Sequence, residues 1–478
     1  MFGTAGIRGS AETRVTPELA LAVGRAVAAE VRATEAAATP EIVLARDGRV
    51  TGPAIAAAME AGLASGGLRV LRAGRLPTPA LAYASQDRYG VMLTASHNPP
   101  TDNGIKLFRD GSEFDREAER AVEARVANEE PPAAWDAWTE SERVDTLDDY
   151  LDAVRTYAEG FGADLDGIRI AVDCGNGMSA PATPTVLREL GADVVTLNGN
   201  VDGHFPGRGS KPTPETLRDL RAFIADANEG VAEPGRPADG DAEGFAFGIG
   251  HDGDSDRIVI VDADGEVVHE DTVLALLAER YTRESDAADP VVVTTPNASG
   301  RIDERVREAG GRVERVRLGA LHEGIATVRA DADPGADTRV VFAAEPWKHI
   351  HVRFGEWIDG VASAAVLSRL TAESSLDDLR DPITERPYRK VSVDCPDEAK
   401  PGAMERLTTT LPDAFSDAAV DTDHGVRLEF PDASWTLVRP SGTEPYVRVY
   451  AESDAVDDLV ADVETVVADA VAAATDEE

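Results

Sequence analysis

The chain has 478 residues, 42% of them hydrophobic, and its 88 Asp and Glu against 47 Lys and Arg leave a net charge of −41. One core does not suffice at that length, and roughly three or four domains are expected. So acidic a balance argues against nucleic acid and against anionic membrane as partners, since both demand a basic footprint.

No apolar run approaches the ~20 residues of a membrane span. Met1-Phe2-Gly3-Thr4 lacks the basic-then-apolar order of a signal peptide. Cys174 and Cys395 lie far apart with no metal-type spacing. A reduced cytoplasm is the expected location. Lysine occurs only at 106, 211, 348, 390 and 400. Many carboxylates with few lysines suit a halophilic surface, because high salt screens the self-repulsion.

Phe2 to Gly9 is glycine-rich and carries one cation, Arg8. Thr16-Pro17 supplies an N-cap and a first-turn proline, and Leu19, Val23 and Val27 follow at helical spacing. From residue 40 a pattern of strand, helix, strand and strand occurs three times. Its first strands are Ile42-Val43-Leu44, Ile170-Ala171-Val172 and Val291-Val292-Val293. Its second strands open on Gly67, Gly191 and Gly311. Each third strand runs into a polar loop: Thr94 to Lys106, Gly250 to Arg257, and Ala344 to His349. Strands alternating with helices imply α/β domains with mostly parallel sheets, whose ligands sit beyond the carboxyl ends of the strands.

Residues 228–243 are acidic and rich in Gly and Pro, and read as a mobile surface insertion. The periodicity breaks around 375–387, where Pro382 and Pro387 mark a linker. Short strands and a helix bearing Val456, Leu459, Val460, Val463 and Val467 then form a smaller α+β domain. The boundaries expected are 1–150, 151–266, 267–380 and 385–478.

The loops carry the chemistry. Ser96 follows the apolar run Gly90 to Leu93, with His97 beside it and Lys106 ten residues on. A hydroxyl is a poor nucleophile unless a base, a cation or a metal activates it. Asp252, Asp254 and Asp256 alternate with Gly253 and Ser255, and Arg257 is next. Three carboxylates on one short loop suit a hard cation such as Mg²⁺. An EF-hand would need a glutamate where Ala263 stands, which argues against calcium sensing. Glu345-Pro346-Trp347-Lys348-His349 combines carboxylate, ring, cation and imidazole, a set suited to sugar hydroxyls. Arg439-Pro440-Ser441-Gly442-Thr443 offers a guanidinium, two hydroxyls and a glycine, the makings of a phosphate cradle, with Arg448 close behind. For each loop a plain surface turn without chemistry is the alternative.

Thr94-Ala95-Ser96-His97-Asn98-Pro99, Asp252-Gly253-Asp254-Ser255-Asp256-Arg257 and Arg439-Pro440-Ser441-Gly442-Thr443-Glu444-Pro445 resemble, in order, signature loops of the α-D-phosphohexomutase family. Phe2 to Gly9 resembles its N-terminal motif. The resemblance implies four domains, the first three sharing a fold, around a central cleft. It implies that Ser96 is a phosphoserine and that Asp252, Asp254 and Asp256 hold Mg²⁺ with its phosphate. It implies that Arg439, Ser441 and Thr443 grip the non-reacting phosphate, and that Glu345 and His349 line the sugar site; Gly442, Arg448 and Lys348 beside them are further substrate-binding candidates. Where the family usually has Ser-Gly between that glutamate and histidine, Trp347-Lys348 stands here.

The function expected is a phosphohexose mutase for mannose or glucose phosphates, passing through a hexose 1,6-bisphosphate. Arg257 and Lys106 would stabilise the transferred group. Lys106, His97 and Arg8 are all candidates for the general base. Glucosamine or pentose phosphates as substrates, a Mg²⁺-dependent sugar phosphatase, and a non-catalytic sugar-phosphate binder are the alternatives.

Overall fold

The structure is a computed structural model that describes residues 1–3, 6–34, 40–230, 244–333, 335–441 and 444–475. The chain folds as two compact units, Met1–Val273 with Pro346–Arg380, and Leu274–Glu345 with Asp381–Glu478. The architecture is α/β with mostly parallel sheets, followed by an antiparallel sheet near the C-terminus.

The first sheet comprises β1 (Ile7–Ser10), β2 (Glu41–Arg46), β3 (Arg69–Arg75), β4 (Tyr89–Leu93), β5 (Asp102–Arg109), β6 (Ser112–Glu113) and β7 (Ser141–Arg143). Their order is β1-β5-β4-β2-β3-β7, with β6 beside β5. Strands β4, β2, β3 and β7 run parallel, while β5 returns antiparallel to both β4 and β1. The helix Pro17–Thr34 buries Val23, Val27 and Val31, a stripe at i, i+4 and i+8 that faces the sheet core. It crosses the helix Gly52–Ser65 where Gly24 meets Gly62: a Cβ on Gly62 would stand 2.4 Å from the Leu21 carbonyl oxygen, so backbone packs on backbone there.

The second sheet has the order β11-β10-β8-β9, from β8 (Arg169–Asp173), β9 (Asp193–Leu197), β10 (Phe247–His251) and β11 (Ile258–Val261). Strand β10 is parallel to β8 and antiparallel to β11, as β4 is to β2 and β5. Both β4 and β10 are buried at every position, which is why they read as continuous apolar runs. In the second unit β12 (Asp289–Thr294) lies between β13 (Arg312–Arg315) and β14 (Thr338–Glu345), all parallel. In the first unit β15 (Lys348–Ile350) leads towards the long buried helix Gly360–Glu373.

The last sheet is antiparallel, β16-β20-β19-β18-β17, from β16 (Tyr388–Asp394), β17 (Ala419–Asp421), β18 (Val426–Glu429), β19 (Trp435–Pro440) and β20 (Tyr446–Glu452). The helices Lys400–Ala414 and Val456–Thr475 cover it, the latter through Val463, Val467 and Val471.

The expected linker at 375–387 contains a short helix, Leu376–Arg380, of which only Leu376 is buried. Most of the expected insertion, 231–243, lies outside the described residues, as do Gly442 and Thr443. Among the described residues no helix is long and apolar enough to cross a membrane.

Candidate active site

Strand β4 ends at Leu93, and the chain loops through Ser96 before returning as β5. Arg49, fully buried just beyond β2, holds that loop from below. Its Nε donates to Asp47 Oδ2 at 3.0 Å, and its two amino groups donate to the carbonyl oxygens of Ser96, Asn98, Pro99 and Asp102. Thr94 Oγ1 also donates to Asp47, at 2.8 Å, and accepts from the Ser96 N–H at 2.9 Å. This network keeps Ser96 at φ +51°, a left-handed conformation that costs a non-glycine residue roughly 1–2 kcal/mol.

The next sheet repeats the device. Arg208 donates to Asp173 Oδ2 at 2.9 Å, and to the carbonyl of His251, the last residue of β10, at 2.6 Å. Beyond it the chain turns through Asp252 to Arg257, with Ser255 at φ +65°. A Cβ on Gly253 would stand 2.7 Å from the Ser96 carbonyl oxygen, so only glycine allows the two loops this close. Thr78 ties them further: its N–H donates to the Asp254 carbonyl at 2.9 Å and its hydroxyl to Asp254 Oδ2 at 2.7 Å.

Ser96 Oγ consequently donates to Asp252 Oδ2 at 2.6 Å. His97 Nδ1 lies farther off, 3.4 Å from the same hydroxyl. The serine proton therefore points at the aspartate loop and not at the neighbouring histidine.

Asp252, Asp254 and Asp256 are all buried, and each offers a carboxylate oxygen within 4.8 Å of the others. Burying three such groups is costly unless cations compensate. Lys106 Nζ stands 3.0 Å from Asp256, 4.0 Å from Asp254 and 3.4 Å from Glu113. Arg257 Nε is 3.8 Å from Asp252 and 4.0 Å from Asp256. Even so, Asp254 Oδ1 and Asp256 Oδ1 are buried with no hydrogen-bond donor. Two orphaned oxygens within an all-oxygen donor set fit a hard divalent ion.

The charges displace the local titrations. Asp252 is raised well above the carboxylate range, by burial first and then by Asp256 and Asp254. Burial works the same way on Asp256, but Lys106, Lys348, Arg257 and Arg8 outweigh it and hold that carboxyl low. Burial opposes the Lys106 ammonium, yet Asp256, Glu113 and Asp254 prevail and its pKa is raised. His97 is pushed down to about 3, by burial first and then by Arg257 and Arg8. Arg8, on β1 opposite Gly104, thus belongs to the same cluster.

The third loop divides between the units. Glu345 closes β14, and its carboxylate accepts the Gly319 N–H. In the first unit the Ile258 N–H donates to the Trp347 carbonyl at 3.1 Å, fastening that turn immediately beyond Arg257. Trp347 is again left-handed, at φ +68°, and Lys211 Nζ lies 6.0 Å from its ring. Lys348 is near enough to act on both Asp256 and His97. His349 is buried, with Nδ1 3.0 Å from Ser363 Oγ.

In the second unit Arg439 on β19 and Arg448 on β20 are direct cross-strand partners. Like charges so placed repel, and an anion relieves the repulsion. Their Nε atoms are buried and lack a hydrogen-bond partner. Arg439 donates to the Tyr450 hydroxyl at 3.3 Å, Arg448 to that of Tyr446 at 2.7 Å. Lys400 holds the loop between the strands: its ammonium donates to the carbonyls of Ser441 at 2.8 Å and Glu444 at 2.6 Å, and to Asp397 at 2.6 Å.

Asp47, Arg49, Thr78 and Lys400 escaped the sequence reading. For Lys400 a signal existed, since it is one of only five lysines. For the others the meaning lies in partners far along the chain.

Three segments match family models described as phosphoglucomutase/phosphomannomutase alpha/beta/alpha domain I (residues 1–133), alpha/beta/alpha domain II (148–265) and C-terminal domain (391–470). A phosphopentomutase of Thermococcus kodakarensis is 38% identical over 460 residues, 95% of this chain and 94% of that protein. A probable phosphoglucosamine mutase of Methanopyrus kandleri is 39% identical over 462 residues, again 95% and 94%. A phosphoglucomutase/phosphomannomutase family protein of Burkholderia thailandensis has the same fold, with a TM-score of 0.78, 24% identity, and coverage of 99% of this chain and 98% of that one. With matching domains along most of its length and relatives this similar over nearly all of it, the chain belongs to the phosphoglucomutase/phosphomannomutase family of the α-D-phosphohexomutase superfamily.

Proposed function

We propose that this protein is a sugar phosphomutase in which Ser96 carries the transferable phosphoryl group. The observation that bears most weight is the 2.6 Å hydrogen bond between Ser96 and Asp252, which sets the serine oxygen against three carboxylates fit for a divalent ion. Asp252, Asp254 and Asp256, with the seryl phosphate, would hold Mg²⁺, which when bound neutralises charge on the phosphoryl oxygens.

The bond from phosphorus to the Ser96 oxygen breaks as one to a free sugar hydroxyl forms, and the resulting bisphosphate returns its other phosphoryl group to Ser96. Lys106 and Arg257 line the path of the moving charge, and positioning and charge neutralisation carry such transfers. The sugar hydroxyl must lose a proton. Lys106 is held as a cation by its acidic neighbours, and a guanidinium such as Arg8 does not deprotonate. His97 is neutral, lowered first by burial and then by Arg257 and Arg8, and a substrate phosphate would offset those two cations, so His97 is the base we assign. Glu345, Lys348 and His349 are assigned to the sugar. Arg439, Ser441, Gly442, Thr443 and Arg448 are assigned to its second phosphate.

The substrate proposed is a glucosamine phosphate, following the name of the Methanopyrus relative, in place of the mannose or glucose phosphate expected from the motifs. A pentose phosphate is the second reading, favoured by the Thermococcus relative. The test is a coupled mutase assay at molar salt over glucosamine, pentose, glucose and mannose 1-phosphates. Turnover confined to glucose and mannose phosphates would reverse the substrate assignment. Stoichiometric release of inorganic phosphate would show a phosphatase instead.

A further inference from the structure

We propose that Ser363 is a positioning residue that locks His349 in a single tautomer, so that His349 Nε2 offers a lone pair to a hydroxyl of the bound sugar. The proposal rests on the reading that the turn ending at His349 faces the sugar.

The argument is a count of protons. A serine hydroxyl has one hydrogen to give and two lone pairs to receive with. Ser363 Oγ gives its hydrogen to the Asp359 carbonyl, one helical turn back, at 2.7 Å. Two imidazole nitrogens also reach that oxygen, His349 Nδ1 at 3.0 Å and His351 Nε2 at 2.8 Å. With the hydroxyl proton committed, both nitrogens must be the donors, and the oxygen is saturated. His349 thus carries its proton on Nδ1, and the other nitrogen of a neutral ring is an acceptor. The ring is neutral: burial pushes His349 down to about 3 and His351 well below its ordinary value.

The anchor under Ser363 is rigid. Asp359 caps the helix Gly360–Glu373 by accepting the Ala362 N–H at 2.8 Å. Its carboxylate also accepts from the Tyr150 hydroxyl at 2.8 Å and Trp357 Nε1 at 3.0 Å. The Asp359 N–H in turn donates to the His349 carbonyl at 2.8 Å. Serine, helix start and histidine therefore move as one body.

The chemical consequence is selective. An imidazole lone pair accepts from a hydroxyl or an ammonium and repels a phosphate oxygen, which has no proton to give. A molecule bearing two phosphates is thereby received at His349 by its ring and not by either phosphate.

The experiment is nitrogen NMR on the full-length protein labelled with ¹⁵N-histidine, with His349→Gln and His351→Gln variants to assign the signals. The expected result is a proton on Nδ1 of His349 and on Nε2 of His351; a proton on Nε2 of His349 overturns the proposal. In Ser363→Ala the single tautomer should give way to a mixture. Affinity for the best sugar phosphate of the panel should fall roughly tenfold, the usual worth of one hydrogen bond. The phosphorylated fraction of Ser96, read by intact mass, should not change, and Ser363→Thr should restore both tautomer and affinity. If the tautomer is as expected but sugar affinity in Ser363→Ala stays within about twofold of wild type, the positioning role is refuted. Absence of turnover on every sugar phosphate would refute the mutase reading, whereas the tautomer is read without substrate.

Discussion

Ser96 Oγ donates to Asp252 Oδ2 across 156 positions of sequence, while the adjacent His97 lies 0.8 Å farther from that oxygen (3.4 against 2.6 Å). The hydroxyl is therefore oriented by the aspartate loop before any phosphate arrives. Ser96→Ala keeps the fold, since a buried side chain loses one polar atom, but it removes the oxygen that the proposed transfer uses. Turnover should fall by about 10⁴-fold or more, and intact mass after incubation with a sugar bisphosphate should show no phosphoprotein. Near wild-type turnover in this variant would end the nucleophile assignment.

Divalent metal and pH should act together on stability. Burial, then Asp256 and Asp254, raise Asp252, so the folded state holds this proton more tightly than the unfolded chain does. A carboxyl of that kind favours folding at acid pH and opposes it as pH rises through the raised value. A bound divalent ion removes the penalty by replacing the proton. Added Mg²⁺ should raise Tm, by the equivalent of about 2.7 kcal/mol at a hundred times its Kd, and the gain should grow with pH. Thermal melts with chelator and with Mg²⁺ across pH 5 to 8, at constant salt, would show it; a gain that shrinks with rising pH contradicts the assignment.

Arg49 is predicted to matter as much for stability as for turnover. Arg49→Met leaves Asp47 buried with its cation gone, and frees four loop carbonyls that the guanidinium now holds. Breaking one side of a buried pair costs about 3–5 kcal/mol. Denaturant titration should find a loss of that size, and kcat should fall with it because Ser96 is no longer held in its left-handed conformation.

Much of this was legible along the chain, because buried strands and amphipathic helices write their periods into it. The run Gly90 to Leu93 is the body of β4, and the valines after 456 are the inner face of the helix Val456–Thr475. Strands expected to open on Gly67, Gly191 and Gly311 begin one or two residues later, at Arg69, Asp193 and Arg312. Gly67 and Gly191 are spent on the left-handed turn before the strand, at φ +94° and +106°. The helix Leu376–Arg380 was hidden because five residues with one buried side chain carry no period. What no local pattern reveals is which distant partner a polar residue will choose. Arg49 reads as a surface charge until the chain brings it under a loop 47 to 53 positions away.

Lys400 offers a separate test of the phosphate cradle. Its three ammonium protons go to Ser441, Glu444 and Asp397, which turns the loop carbonyls inward, away from any anion. Lys400→Met keeps the apolar stem and releases those carbonyls. We expect KM for the sugar phosphate to rise by roughly tenfold, with the phosphorylated fraction of Ser96 unchanged. A fall in that fraction would place Lys400's effect on the serine chemistry instead.

Acid should destabilise the protein through a histidine that no proposed step uses. His251, fully buried at the end of β10, donates from Nδ1 to the Arg257 carbonyl at 2.8 Å, so its Nε2 accepts from the Thr183 hydroxyl at 3.0 Å. Burial, with a lesser push from Arg208, lowers its pKa from 6.5 to about 4. Because the folded value lies below the unfolded one, the unfolded chain takes the proton first as pH falls. Stability is thus complete above 6.5, is lost between 6.5 and about 4, and levels off below. The loss from this one group is about 3 kcal/mol. His349 and His351 add in the same direction, which makes the comparison with a variant decisive. In His251→Gln the unfolding free energy should start lower at pH 7.5 yet decline less steeply toward pH 4.5. Parallel curves for wild type and variant would mean that His251 carries its charge in the folded state at no cost, against the burial and bonding described for it.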